Sequence, residues 1–338
     1  MDIKNFEIND GVLVKYNGGS DNIIIPTGIT KIADEAFLNC GEIVTVVIPE
    51  GVIQIGTSAF QNCCNLKSVE IPISVKKIGR WAFKNCPSLL TINIPDNVTA
   101  ILDCTFAFCK NLASVIWGTK IKKIEKEAFA HCENLQSIDI PVKCRYVGDR
   151  AFACCEKLTS IYIPENIEEI GDSVFDGCIN LRSISVSENN KNYYAVSNCL
   201  IEIEDPRSEY FINPIRNILL FACYDAIIPN GVEIIDRGIF AGNPTTKISI
   251  PNSVTTIRPD SFMGCENLTS VTIPEGVTYM GYYVFAGCEN LTDAYIPDSV
   301  TTIDKNAFLN CNKLTIHGVP GSCAEKYAKE NNIPFVEL

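Results

Sequence analysis

The stretch Phe60-Gln61-Asn62-Cys63-Cys64-Asn65-Leu66-Lys67-Ser68-Val69-Glu70-Ile71-Pro72-Ile73-Ser74-Val75-Lys76-Lys77-Ile78-Gly79-Arg80-Trp81-Ala82 decides the fold. Ser68-Val69-Glu70-Ile71 alternates outward and inward residues, the pattern of a half-buried strand. Pro72 has no N–H to give a ladder and ends that strand. Val75 to Ile78 is a second short extended piece, and Gly79 allows the sharp turn after it. Trp81-Ala82-Phe83-Lys84-Asn85 is expected to form one helical or 3₁₀ turn on the far side. Phe83 then restarts the pattern 23 residues after Phe60, and a period of that length means a stacked array.

Phenylalanine keeps the period outward from this unit. Phe37, Phe60, Phe83, Phe106, Phe129, Phe152 and Phe175 are each 23 residues apart; Phe240 follows after 65, then Phe262, Phe285 and Phe308 after 22, 23 and 23. The Cys column (Cys40, Cys63, Cys86, Cys109, Cys132, Cys155, Cys178, Cys265, Cys288, Cys311) and the Leu column from Leu66 to Leu314 hold the same register. The full unit is Phe-x-x-Cys-x-x-Leu-x-x-Ile-x-Ile-Pro-x-x-Val-x-x-Ile-Gly-x-x-Ala. Each unit packs only on its neighbours, so the core consists of columns of Phe, Leu, Ile and Cys.

The Phe-x-x-Cys-x-x-Leu and Ile-Pro-x-x-Val-x-x-Ile-Gly segments, for example Phe60 to Gly79, resemble the BspA-type leucine-rich repeats. The resemblance covers nearly the whole chain. It departs at Trp117-Gly118 in place of Ile-Pro, at Asn243 in place of Cys, and at Leu102 and Asp304 in place of Gly. It implies a leucine-rich-repeat-like solenoid of short β-strands with short helical or 3₁₀ turns, a curved right-handed array with a hairpin insert and a C-terminal capping helix. For surface members of the family it implies adhesion or binding of a host protein.

Five segments follow. Residues 1–25 form an N-terminal cap, where Asp10-Gly11-Val12-Leu13-Val14 followed by Asn17-Gly18-Gly19 reads as a small hairpin. Repeats fill 26–186 and 226–316. The insert at 187–225 holds two strand-like runs, Leu200–Ile203 and Ile218–Phe221, and reads as a hairpin. Residues 317–338 form the second cap, with a helix that Ser322 would N-cap and Ile333-Pro334-Phe335-Val336 closing the core.

Composition narrows the function. The chain has 338 residues, 46% of them apolar, and a net charge of −12. That balance argues against nucleic acid, which needs Lys and Arg to neutralise phosphates. No apolar run reaches membrane-spanning length, so no membrane insertion is expected. With Met1 as the native start, the absence of a basic region and an apolar stretch behind it predicts a cytoplasmic protein; a trimmed chain would leave a cell-surface or secreted location open. Ten of the 17 cysteines sit in the one column, where a thiol serves as a small buried hydrophobe. The spacing of stacked turns would also permit bridges, so the redox compartment decides, and free thiols are expected.

No catalytic, cofactor or metal site is expected. His131 and His317 are the only histidines, too far apart to meet, and no phosphate loop or Cys-x-x-Cys pair is present. The sequons at Asn97, Asn267 and Asn290 are read as asparagines capping the turns rather than sugar attachment sites. A protein partner is expected, with a glycan as the alternative ligand, for a monomeric scaffold. An enzyme using the insert would require a deep pocket with converging polar groups.

Outward positions of the main strand supply the candidate reading face. One row is nearly all hydroxyl: Thr45, Ser68, Thr91, Ser114, Ser137, Ser160, Ser183 and Ser270. The next row varies, and from it Glu70, Asn93, Asp139, Tyr162 and Tyr295 are the candidate binding residues, flanked by acids after the proline such as Glu50, Asp96 and Glu165. The insert adds Tyr193, Tyr194, Tyr210 and Phe211, because tyrosines concentrate in binding hot spots; packing of the hairpin onto the solenoid is the equal alternative for them. A basic group at Lys76, Lys77, Arg80, Lys122, Lys123, Lys126, Arg145 and Arg150 could meet an acidic protein or glycan, or serve only as a solvated flank.

Overall fold

The three-residue spacings of the repeat are successive turns. In the computed structural model, which describes residues 5–204, 216–223 and 226–338, the Cys63 N–H donates to the Phe60 carbonyl (3.3 Å) and the Leu66 N–H to the Cys63 carbonyl (3.1 Å). The Val75 N–H donates to the Pro72 carbonyl at 3.1 Å. Phe-x-x-Cys-x-x-Leu and Pro-x-x-Val are therefore hydrogen-bonded corners, and the strands lie between them.

The chain divides into two compact units, Met1–Leu181 and Arg182–Leu338. In the first, main strands of adjacent coils pair in parallel and in register: Asn22–Ile24 with Thr45–Val47 and Ser68–Glu70, Thr91–Asn93 with Ser114–Ile116, and Ser137–Asp139 with Ser160–Ile163. Two-residue strands make a second track. One ladder runs from Val12–Leu13 through Lys31–Ile32 and Gln54–Ile55 to Lys77–Ile78, and another from Ala100–Ile101 through Lys123–Ile124 and Tyr146–Val147 to Glu169–Ile170.

The third side of each coil, expected as a helical or 3₁₀ turn, is a turn of mixed hand. Residues two before and two after the column Phe from Phe37 to Phe285 sit in the left-handed region, as with Ser58 and Asn62 (φ 52° and 61°) around Phe60 and Trp81 and Asn85 (both 56°) around Phe83. This alternation turns every second N–H toward the next coil. The Trp81, Phe83 and Asn85 N–H groups donate to the Asp103, Thr105 and Ala107 carbonyls at 3.0, 2.9 and 2.8 Å. A left-handed non-glycine residue costs of order 1 kcal/mol, and these inter-coil bonds offset it.

The columns are continuous within each unit. Rings from Phe37 to Phe175 stack at centroid separations of 4.7 to 6.1 Å, within 16° of parallel, and Phe240, Phe262, Phe285 and Phe308 repeat the arrangement in the second unit. The cysteines do more than fill space. The Cys63 thiol donates to the Phe37 carbonyl of the preceding coil at 3.2 Å, and Cys86, Cys109, Cys132, Cys155 and Cys178 repeat that bond. The Phe37, Phe60, Phe106, Phe129 and Phe152 carbonyls so receive a thiol besides their own coil's Cys N–H. A small apolar residue with one weak donor suits this buried position. The Asn97, Asn267 and Asn290 amides of the three sequons donate to the Ile73, Pro244 and Glu266 carbonyls.

Burial raises the thiol pKa of Cys63, Cys86, Cys109 and Cys132, and Cys109 is pushed up to about 12. At pH 8 iodoacetamide should modify exposed Cys64 quickly and the ladder cysteines only after unfolding, read by peptide mass spectrometry. Cys109 alkylated in the native protein at the rate of Cys64 would contradict this packing.

Both caps use tyrosine to finish a phenylalanine column. The N-terminal hairpin pairs Phe6–Asn9 with Val12–Tyr16 around Asp10 and Gly11, both left-handed, and Tyr16 stacks on Phe37 at 5.2 Å. At the other end the helix Cys323–Glu330 is N-capped by Ser322, which accepts from the Glu325 N–H while the Gly321 N–H donates to the Glu325 carboxylate, a close relative of the capping box. Its Tyr327 tilts onto Phe308 at 6.0 Å, and Phe335–Glu337 adds a final parallel strand to Thr315–Gly318.

The insert holds more than the expected hairpin. Tyr193–Val196, Cys199–Glu204 and Arg216–Ala222 form a three-stranded antiparallel meander. Its last strand pairs in parallel with Ile234–Ile235, starting the short-strand track that runs through Thr256–Ile257 and Tyr279–Met280 to Thr302–Ile303.

Candidate functional site: the main-strand face

Period-two alternation puts the Val and Ile of each main strand inside and leaves two rows outside. In the first unit the register sets Val47 beside Glu70, Asn93 beside Ile116, and Asp139 beside Tyr162. Parallel neighbours lie about 4.8 Å apart. These pairs belong to three separate ladders, and the 23-residue repeat spacing puts Glu70, Asn93, Asp139 and Tyr162 at the same position of successive coils, one row in which all are exposed. The structure adds Ile116 to them, 60% exposed against 48% for Tyr162. Ile116 was not among the residues selected from the sequence; its signal is an apolar residue where the neighbouring coils carry Asn93 and Asp139.

The acidic flank is partly committed elsewhere. Asp96 accepts the Thr119 N–H at 2.8 Å, and that bond, with the Thr119 hydroxyl, holds its carboxyl below the usual carboxylate range. Asp96 thus caps the next coil's turn.

Tyr295 belongs to the second unit and has its own partners. It stacks on His317 at 4.5 Å and 19°, and His317 Nε2 lies 2.7 Å from the Asp293 carboxylate. The Thr292 hydroxyl and His317 hold the Asp293 carboxyl below its ordinary value. The result is an ordered aromatic platform with an ion-pairing edge on the main-strand face. Sequence reading weighed His317 only against the distant His131; the 22-residue step from Tyr295 to His317 is one coil in the parallel register.

The insert residues divide differently. Tyr193 is buried, and its hydroxyl lies 3.4 Å from a Glu202 carboxylate oxygen. This corrects its expected place on a binding surface: it packs the meander. Tyr194 is half-buried against the second unit's core. Tyr210 and Phe211 lie outside the described residues. A cavity of about 430 Å³ opens in the second unit beside Phe240, Asn243, Thr245 and Ile248, where Asn243 replaces the Cys and the Leu column is missing. Its polar lining is self-satisfied: Asn243 Oδ1 accepts the Thr245 N–H at 3.0 Å, and the Thr245 hydroxyl donates to the Lys247 carbonyl at 2.8 Å. Among the described residues no group of three or more His, Cys, Asp or Glu side chains could hold a metal ion, and no helix is long and apolar enough to cross a membrane.

Six copies of the BspA type leucine rich repeat region match the chain, across residues 14–117, 102–223 and 219–315. The chain belongs to the BspA-type leucine-rich repeat family. Among solved structures, it is similar to a leucine rich cell surface protein from Faecalibacterium prausnitzii A2-165, with 28% identity over 96% of this chain and 94% of that one and a TM-score of 0.66. It shares its fold with a leucine-rich repeat protein from Eubacterium ventriosum, with 20% identity over 92% of this chain and 81% of that one and a TM-score of 0.57. The same holds for the pneumococcal vaccine antigen PcpA, with 16% identity over 98% and 95% and a TM-score of 0.61. No curated protein matches the sequence significantly.

Proposed function

We propose that this repeat protein is a non-catalytic binding module that engages a protein partner through the main-strand face of its first unit. The observation that carries the proposal is the row Glu70, Asn93, Ile116, Asp139 and Tyr162, in which two exposed apolar anchors alternate with polar side chains. Their backbones are fixed by the ladders and corners, so little ordering entropy is lost on contact. An exposed aliphatic or aromatic anchor ringed by polar groups is the composition of an interface hot spot.

A cell-surface setting, in which the module acts as an adhesin, is favoured by the likeness to the Faecalibacterium surface protein over nearly the full length of both chains. The thiols do not oppose it. Buried thiols held up in pKa, such as Cys63, Cys86, Cys109 and Cys132, oxidise slowly, so they would survive in an oxidising compartment.

The test is recovery of a partner from native surface and culture fractions with the intact protein, followed by hydrogen exchange of the complex. Added protection should center on the main strands from Ser68–Glu70 to Ser160–Ile163. Protection confined to the meander or the second unit would refute the choice of face.

A further inference from the structure

We infer that the short-strand flank of the first unit is a second binding surface, which takes a linear sulfated polysaccharide. The flank is separated from the main-strand face by the Pro-x-x-Val corner. Two of its rows follow the register: Lys31, Gln54 and Lys77 in one ladder, then Ala100, Lys123 and Tyr146 in the next. The residues just before these strands form the adjoining row of Ile53, Lys76, Thr99, Lys122 and Arg145, tied by the Lys76, Lys122 and Arg145 N–H groups to the carbonyls of Ile53, Thr99 and Lys122, each at 2.8 Å. Between Lys31 and Tyr146 neither row contains a carboxylate, in a chain whose net charge is −12.

These cations are available. Lys76, Lys77, Lys122, Lys123 and Arg145 are exposed. Lys31, Lys76, Lys77 and Lys122 make no ion pair among the described residues, whereas Arg145 meets Glu168 at 3.4 Å and Lys123 lies 5.8 Å over the Tyr146 ring. A hollow of about 350 Å³ lies beside Lys31, Lys77 and Arg80, with Gly79 in its wall. It also contains Asp34, whose carboxylate is engaged by the Thr57 N–H at 2.8 Å, while Arg80 pairs with Asp103 at 3.1 Å. Like charges within a Debye length of roughly 8 Å repel, so so dense a row of lysines is best neutralised by an anion.

The shape of the strip selects the anion. Lys76 and Lys122 are two coils apart, roughly 10 Å at the strand spacing, close to one disaccharide of an extended glycan. The strip is narrow and bounded by Glu168 and Glu169, which would repel the overhanging phosphates of a nucleic-acid duplex. Most of its backbone groups are spent in the coil ladders, the break between Lys77–Ile78 and Ala100–Ile101 excepted, which leaves little open edge for an acidic peptide to pair with. A stiff sulfated chain loses less conformational entropy on binding than a flexible peptide.

The experiment measures binding of a heparin oligosaccharide to the intact protein at low and high NaCl. Chemically desulfated heparin, poly-glutamate and a DNA duplex serve as comparisons. Heparin should bind best and weaken as salt rises. The Lys76→Gln, Lys77→Gln, Lys122→Gln, Lys123→Gln variant should lose at least about tenfold in affinity, while the matching Lys→Arg variant retains binding and Tyr162→Ala leaves it unchanged. Equal thermal stability of the Gln and Arg variants guards against loss through unfolding. The inference is overturned if the Gln variant binds heparin like the parent, if desulfated heparin binds equally, or if poly-glutamate or the duplex binds more tightly.

Discussion

Replacing Phe106 with alanine should cost the first unit about 3–5 kcal/mol, the range for emptying a large buried aromatic site. The ring lies between Phe83 at 5.5 Å and 4° and Phe129 at 5.3 Å and 16°. Neither neighbour can close the gap without leaving its own place in the column. Because repeat stability is a sum of units and nearest-neighbour terms, the damage should stay local. Urea unfolding should shift for the first unit, and hydrogen exchange should quicken at the Phe83 and Phe106 amides, which donate to the Thr105 and Ala128 carbonyls, both at 2.9 Å. A loss under about 1 kcal/mol would mean that the column is a passive filler.

Gly79→Ala should be the next most damaging, at about 3 kcal/mol, the upper end of overpacking. A Cβ at Gly79 would lie 2.5 Å from the Gly56 carbonyl carbon and oxygen and from the Thr57 nitrogen. All three are backbone atoms, so no rotamer relieves the clash and the coils must part. The protein already carries a parallel case: Leu102 occupies the same column, and the short-strand ladder is interrupted between Lys77–Ile78 and Ala100–Ile101. The substitution should move that interruption one coil earlier, seen as faster exchange of the Lys77 and Gly79 amides. Gly41→Ala, where a Cβ meets nothing within 4 Å, is the control and should change stability little.

Most of the fold was legible because each column has a physical reason to repeat. The Phe, Cys, Leu and Pro positions are corners or core, and one period fixed their register. The mixed-hand turn was half legible. Two residues after the Phe stand Asn39, Asn62, Asn85, Gly177, Gly242, Gly264, Gly287 and Asn310, types that tolerate the left-handed region, whereas Phe108, His131 and Cys154 occupy it without that signal. Two before it stand Glu35, Ser58, Trp81 and Arg150 in the same region, and nothing in those residue types signals it; only the inter-coil bonds hold them there. The candidate face was legible as a row, since alternation determines what points outward. The Tyr295, His317 and Asp293 platform was not, because it joins residues of two coils through a diagonal contact. Tyr193 misled for the opposite reason: its aromatic ring suited a surface hot spot and a strand interior equally well, and in the meander it is buried with its hydroxyl at Glu202 of the next strand.

The central claim is that the outward row of the first unit reads the partner, and the most direct measurement is the affinity of the recovered partner for the parent and for an Ile116→Asp, Tyr162→Ala variant. Both side chains are exposed, so the variant should fold like the parent. Removing two hot-spot anchors, each worth about 2 kcal/mol, should weaken binding by at least about a hundredfold. An unchanged affinity in a folded variant would contradict the account.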